Sequence, residues 1–258
     1  MTPTHPAYGV LRAVTATASV LLERNPDMMT LDGTNSWVLR NPGSAECVVV
    51  DPGEDDREHL RLLADCGPVA LVLLTHHHHD HAEGAARFAE LVGAPVRAFE
   101  ARLCVGGEAL SDGETVEVAG LSLQVMHTPG HTADSVCLTV AGEHPAVLTG
   151  DTVLGRGTTV LDRLGDYLNS LRRLVELPAA TGLPGHGPEL PELRVTLRAY
   201  LDHREQRLAQ VRAALAELGK DAGPRQVVEH VYADVDQALW PVAEHSVRAQ
   251  LDYLRGLD

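Results

Sequence analysis

Aromatic residues make up only 3% of this 258-residue chain, with two tryptophans and two phenylalanines. Because 44% of the residues are nonetheless apolar, a core must be built from valine, leucine and alanine. Cysteine is scarce too. Cys47, Cys66, Cys104 and Cys137 form no close pair, which argues against a zinc ribbon or a C-x-x-C redox motif and points to free thiols in a reducing compartment, the cytoplasm. Basic charge is in deficit: 21 Lys plus Arg stand against 36 Asp plus Glu, for a formal net charge of −15. The parts before and after residue 189 are both acidic, so neither carries the bulk signature of a nucleic-acid binder. Long hydrophobic runs are missing as well, and nothing approaches the ~18 residues of a membrane span. Residues 7–22, AYGVLRAVTATASVLL, are mildly apolar, but Arg12 interrupts them and no basic residue precedes them. They read as one β-strand rather than a signal peptide.

What is present is an alternation of strand and helix signals. ECVVVDPG is a buried strand ending in a turn, and DDREHLRLLADCG is a short helix capped by Asp55 or Asp56 and followed by Gly67. PVALVLLTH is a second buried strand, AEGAARFAELVGAP a helix closed by Gly93 and Pro95, and PVRAFE a third strand. This order suggests helices packed on a sheet. From Glu114 the texture changes to short alternating strands, with a hairpin signal at Ala119-Gly120. A strand pair around Gly-Glu-His-Pro, the helix GDYLNSLRRLVELPA and a short strand before PGHGP follow. Residues 193–219 predict a long amphipathic helix, with Leu197, Leu201, Leu208, Val211, Leu215 and Leu218 as its core-facing stripe. Two more helices are predicted near 225–232 and 241–256. The stripe can pack within the chain or across a homodimer.

The densest chemistry lies in LLTHHHHDHAEG, residues 73–84, with five histidines and an aspartate in six positions. An expression tag belongs at a terminus, and this run is internal, between a buried strand and a helix. In extended chain, alternate side chains share a face. His76, His78 and Asp80 would then face one way and His77 and His79 the other, with His81 swinging toward a second centre as the helix begins at Ala82. Imidazole and carboxylate suit zinc, manganese or iron. Further ligands must come from distant turns: His127 and His131 in HTPGHT, Asp151 in LTGDT, and His186 between two glycines in LPGHGP.

Together, THHHHDH (75–81), TPGHT (128–132), TGDT (149–152) and PGHGP (184–188) resemble, in order, the motifs of the metallo-β-lactamase-fold superfamily. The resemblance spans residues 30–190. It implies an α/β fold, a four-layer αββα sandwich over residues 1–190, followed by an all-helical, truncated winged-helix-like segment over 191–258. It also implies a ligand set: His76, His78 and His131 for one cation, Asp80, His81 and His186 for a second, and Asp151 bridging. His127 is then a decoy, and His77 and His79 fall at variable positions. NPDMMTLDGTNSWVL (25–39), VVVDPG and YLDHREQRL (200–208) resemble the branch containing the beta-lactamase-like endoribonuclease and glyoxalase-II-like enzymes. The chain ends about where the wing hairpin of that branch would follow, which weakens a nucleic-acid role for the tail.

The implied activity is that of a dinuclear zinc-dependent hydrolase in which a hydroxide bridging two cations attacks an ester or thioester of a small molecule. Asp80 and Asp151 are the expected catalytic residues. Asp51, Thr75 and Asn35 are candidates to orient the ligands. Arg156, His77 and His203 are candidate substrate contacts, with Arg204 beside His203 at the cleft edge. Two alternatives stand beside this reading: an endoribonuclease acting on single-stranded RNA, and a mononuclear iron oxidoreductase of the persulfide-dioxygenase kind. No membrane partner is expected.

Overall fold

A computed structural model describes residues 5–233 and 236–256. Its first sheet contains β1 (Arg12–Ala13), β2 (Ala18–Leu22), β3 (Asn35–Leu39), β4 (Cys47–Val50), β5 (Val69–Leu73) and β6 (Val96–Arg97), in that order across the sheet. The first four pair antiparallel, and β4, β5 and β6 pair parallel. The second sheet has the order β11-β10-β9-β8-β7, with β7 (Thr115–Val118), β8 (Leu121–His127), β9 (Val136–Val140), β10 (Ala146–Gly150) and β11 (Thr181–Pro184). Its pairs are antiparallel except β10 with β11. Residues 7–22 form two antiparallel strands rather than the single strand expected. The Thr15 hydroxyl accepts from the amides of Thr17 and Ala18, folding the chain back. The hairpin at Ala119-Gly120 forms as expected, with both residues at positive φ, 51° and 74°, the geometry that matches strand twist in a two-residue turn.

Alternation along the strands builds a layered core. Val48 and Val50 of β4 join Trp37, Leu71, Leu123, Leu138 and Leu148 between the sheets. Cys47 and Val49 point the other way, against Leu60 and Leu63 of α1 (Arg57–Ala64) and Phe88 of α3 (Ala85–Val92). On the outer face of the second sheet, Cys137 and Val147 meet Tyr167 and Leu171 of α4 (Leu164–Val175) and Leu197 of α5 (Leu193–Leu218). The result is helix, sheet, sheet, helix, the four-layer αββα arrangement the sequence implied. Each fully buried Val or Leu contributes roughly 1.5–3 kcal/mol, so many aliphatic side chains substitute for the missing aromatics. All four cysteines are free, with Cys47 and Cys137 buried.

The helix predicted over residues 82–95 is instead two pieces. The four-residue α2 (His79–Ala82) ends before Gly84, and α3 starts after it. Gly84 donates its amide to the Gly53 carbonyl, which pins the break. The amphipathic tail helix is present as α5. Leu197, Leu208 and Val211 of its stripe are buried, whereas Leu218 is 42% exposed. The second half of α5 packs with α6 (Pro224–Val231) and α7 (Trp240–Leu254) around Val211, Val227, Val228, Trp240 and Val247. After β11 the described residues contain helices and no strand. Among the described residues no helix is long and apolar enough to cross a membrane.

Helix α1 starts on Asp56, whose carboxylate accepts from the amides of Glu58 and His59. His59 is buried and shares a 2.8 Å hydrogen bond with Ser36 Oγ, which donates to the Asp51 carbonyl at 2.6 Å. Burial pushes the His59 imidazole down from 6.5 to about 4. The folded state therefore favours the neutral ring. That stability is fully present above pH 6.5 and is lost as pH falls toward 4, up to about 3 kcal/mol. Denaturant titrations from pH 7 to 4 are expected to show this loss, and His59→Gln should flatten that part of the profile. An equal slope in the variant would rule out His59 as its source.

Candidate metal centre

The two sheets meet where the strands that carry the motifs end. The Asn35 amide donates to Gly185 O at 2.8 Å, and the Val136 amide donates to Thr75 O at 2.8 Å. These bonds join the sheets on either side of the histidine run. Asp51 follows β4, Thr75 and His76 follow β5, His131 sits between β8 and β9, Asp151 follows β10 and His186 follows β11.

Two groups of ligand-type atoms form there. In the first, His78 Nδ1 lies 3.1 Å from both His76 Nε2 and His131 Nε2. In the second, His186 Nε2 is 3.1 Å from Asp80 Oδ2 and 3.2 Å from His81 Nε2. Asp151 stands between them: Oδ2 is 3.4 Å from His186 Nε2 and 3.7 Å from His131 Nε2, and Oδ1 is 3.5 Å from His81 Nε2. His76, His78 and His131 form one candidate cation group, Asp80, His81 and His186 another, and His76, His81 and Asp151 link them. His76, His81 and His186 are at most 2% exposed.

The opposite nitrogens of four rings are engaged elsewhere. Nδ1 of His76 meets Thr75 Oγ1 at 3.0 Å, that of His81 meets Asp51 Oδ2 at 2.9 Å, that of His131 meets Val160 O at 2.8 Å, and that of His186 meets Gly33 O at 3.2 Å. With Nδ1 donating, Nε2 is the nitrogen each ring turns inward, and it offers a lone pair wherever it carries no proton. Asn35 Nδ2 donates to Pro184 O and Gly187 O, which shapes the turn carrying His186. The three residues expected to orient ligands thus occupy the expected places.

Protonation differs between the groups. Burial, reinforced by the neighbouring His81 and His131 rings, holds His76 well below its ordinary value, and burial brings His78 to about 4. Burial also opposes charge on His81 and His186, but the nearby carboxylates prevail. Asp151 and Asp51 raise His81 well above 6.5, and Asp151 with Asp80 brings His186 to about 9. Conversely, burial works against the Asp80 and Asp151 carboxylates, yet the His186 and His81 rings hold both far below the usual range. A cation at the second group would compete with those protons.

The residues fit a metal. Asp151 Oδ1 is buried without a hydrogen bond, the ring nitrogens that face one another across each group cannot all be donors, and the donor set is imidazole plus carboxylate. One sequence expectation changes. The chain is extended only to His78 and turns helical at His79, so Asp80 joins His81 and His186 rather than the face of His76 and His78. His127 stacks on Phe99 and bonds Ala133 O, away from the centre. His79 is exposed near Glu54. His77 binds Asp134 at 2.6 Å rather than lining the cavity.

A cavity of about 470 Å³ opens from His131 and Asp151, bounded by Met28, Met29, Leu31, Val160, His203 and Val242 among others. Arg156 and His203 both lie in its wall, and Arg156 is ion-paired with Asp32 at 2.9 Å. The Met28–Leu31 wall was unassigned in the sequence; the adjacent apolar pair Met28-Met29 in a loop, 58% and 47% exposed, was the available signal. Gly185 packs so closely that a Cβ there would collide with the Asp151 carboxylate and the His81 ring. Gly185→Ala is expected to weaken metal binding on the order of 10–100-fold, read by chelator competition. Unchanged affinity would show that Asp151 and His81 can move without loss.

Comparison with known proteins identifies the family and the fold. The family model for the metallo-beta-lactamase superfamily matches residues 29–186, and that for the beta-lactamase associated winged helix domain matches residues 224–255. A lactamase-like protein, adaB, from Aspergillus niger is 33% identical over 92% of this chain and 80% of its own length. An atrochrysone carboxyl ACP thioesterase from Aspergillus fumigatus is 33% identical over 78% of this chain and 65% of its own. The crystal structure of a beta-lactamase domain protein from Burkholderia ambifaria superposes with a TM-score of 0.82 at 22% identity, covering 98% of this chain and 90% of that one. The chain therefore belongs to the metallo-beta-lactamase superfamily, as a hydrolase with a helical segment of the associated winged-helix kind.

Proposed function

We propose that the chain hydrolyses an ester or thioester of a small molecule with two zinc ions at the centre, manganese or iron being the alternative ions. The observation that carries this reading is the cavity beside His131 and Asp151. Its volume of about 470 Å³ lies within the roughly 300–1,000 Å³ of small-molecule sites, and its walls are largely aliphatic. The thioesterase name of the Aspergillus fumigatus relative points the same way. A polynucleotide needs a continuous basic track, which a chain of net charge −15 does not favour.

In this proposal His76, His78 and His131 would hold one cation and Asp80, His81 and His186 the other, with Asp151 available to both. Bound there, the ions supply a water nucleophile near neutral pH and polarise the scissile carbonyl. The protein orients this chemistry. Asp51 holds His81 through Nδ1, and Thr75 holds His76. Asp80 turns Oδ2 toward His81 and His186, and its carboxylate would be available to hold a cation there and to accept a proton from the water nucleophile. Residues 1–190 form the catalytic unit, and residues 191–258 form the segment whose helices close the cavity. The proposed location is the cytoplasm.

The test is a panel of thioesters, lactones, a phosphodiester and single-stranded RNA, with metal analysis of the purified protein. Thioester or ester turnover with two zinc ions per chain is expected. Asp80→Ala and Asp151→Ala should each lower kcat at least ~100-fold, while His79→Ala stays near wild type. Selective RNA cleavage, or one iron per chain without zinc, would sink the proposal.

A further inference from the structure

The cavity beside the centre has an uneven charge. Arg156, Arg204, Arg207 and His203 lie in its wall, and Asp151 is the one carboxylate among its lining residues. Arg156 is neutralised by Asp32. Arg204 has no such partner. It is 6% exposed, and no carboxylate among the described residues forms an ion pair with it. Its Nη2 donates to the Thr159 carbonyl, its guanidinium carbon lies 5.3 Å from the Tyr167 ring centre, and its Nε is buried with no hydrogen bond. A guanidinium carries five N–H donors. The Thr159 carbonyl, the Tyr167 ring face and the Tyr167 hydroxyl beside it still leave donors unmatched, and burying a charge without a counter-charge is strongly unfavourable.

Position adds to the argument. Thr159 precedes Val160, whose carbonyl accepts from Nδ1 of His131, so Arg204 grips the loop that orients a candidate ligand. Arg207, three residues along α5, also lines the cavity. Its guanidinium stacks on Tyr232 at 4.8 Å and bonds Gln210, and it too has no carboxylate partner among the described residues. Met28, Leu31, Leu154 and Val242 give the same cavity apolar wall.

We infer that Arg204 determines specificity by pairing with a carboxylate on the substrate, so that the cavity takes an acyl compound with a short apolar body and an acidic group remote from the scissile carbonyl. With Nε sealed from the cavity and Nη2 donating to Thr159 O, a planar carboxylate would meet the end of the guanidinium, at Nη1 and the second N–H of Nη2, with two parallel hydrogen bonds. The ligand then supplies the counter-charge that the fold omits, and Arg207 adds positive potential at the same wall. The acyl part of this inference rests on the hydrolase reading above, whereas carboxylate binding by Arg204 does not.

The test compares glutarate with hexanoate binding to the metal-loaded protein by calorimetry. Each has one carboxylate able to engage the centre, and only glutarate has a second for Arg204. Glutarate is expected to bind on the order of 10–100-fold tighter, and Arg204→Met and Arg204→Gln should bring the ratio near one; because both ligands are measured on the same variant, a general loss from a loosened 154–160 loop cancels in the ratio. A wild-type ratio near one, or a preference that survives Arg204→Met, overturns the inference. Should Arg204→Met not fold, Arg204→Lys decides: a reduced preference supports the paired geometry, and an unchanged one overturns it. Hydrolysis of the S-phenyl monothioester of glutaric acid and of S-phenyl hexanoate separates the two readings. If neither is cleaved but the binding preference holds, thioester hydrolysis fails and carboxylate recognition stands. If both are cleaved with equal kcat/KM and binding is indifferent to Arg204, only the specificity inference falls.

Discussion

The Asp51 carboxylate sits at the end of β4, 1% exposed, with its backbone at a φ of 53°. One oxygen accepts the Thr75 amide at 2.8 Å; the other accepts the Thr75 hydroxyl at 2.6 Å and faces His81 Nδ1 at 2.9 Å. The end of β4 meets the exit of β5 and the short α2 on this group, 24 and 30 positions further along the chain. A buried carboxylate this well satisfied is costly to replace, because each lost acceptor strands a buried donor. The same negative charge contributes to holding a proton on His81 in the metal-free chain. The geometry of the centre and its affinity for a cation therefore depend on one side chain that is not itself a candidate ligand.

Around that anchor, the fold uses strand ends as a rigid rim and the tail as a cover. Tyr167 of α4 donates to Thr152 O at 2.7 Å, just after Asp151. Tyr200 of α5 accepts the Leu154 amide at 3.2 Å and donates to Gly157 O at 2.9 Å. With Arg204 on Thr159 O, one face of α5 holds the 154–160 loop from end to end. That loop forms one cavity wall and supplies the carbonyl that sets the tautomer of His131. Packing of the tail helix and orientation of a candidate ligand are thus one mechanical unit, which couples pocket shape to the metal centre.

Much of this was legible along the chain. The continuous apolar run CVVV pointed to a strand buried on both faces, and Asp55 or Asp56 and Ala119-Gly120 marked a cap and a turn through local chemistry. The ligand-type residues were legible because imidazole and carboxylate clustered in one run and recurred in glycine-rich turns. The errors have local causes as well. Residues 7–22 carried no strong turn residue, so the Thr15 turn was invisible. Gly84 looked tolerable inside a helix, because its reason for being there, the approach of the Gly53–Glu54 backbone, is not local. Treating the histidine run as extended through Asp80 missed the helical turn that starts at His79.

The residue types at the centre, their order and the layered class of the fold followed from the sequence, since periodicity, turn chemistry and ligand chemistry are written residue by residue. Tertiary structure decided which nitrogen of each histidine faces inward, because that depends on carbonyls and carboxylates contributed by other strands. It also paired Asp80 with His186, 106 positions away, neutralised Arg156 with Asp32, and left Arg204 buried with no carboxylate partner among the described residues. Such outcomes depend on which groups meet across the fold, and a buried charge keeps or loses its partner only when the chain has closed around it.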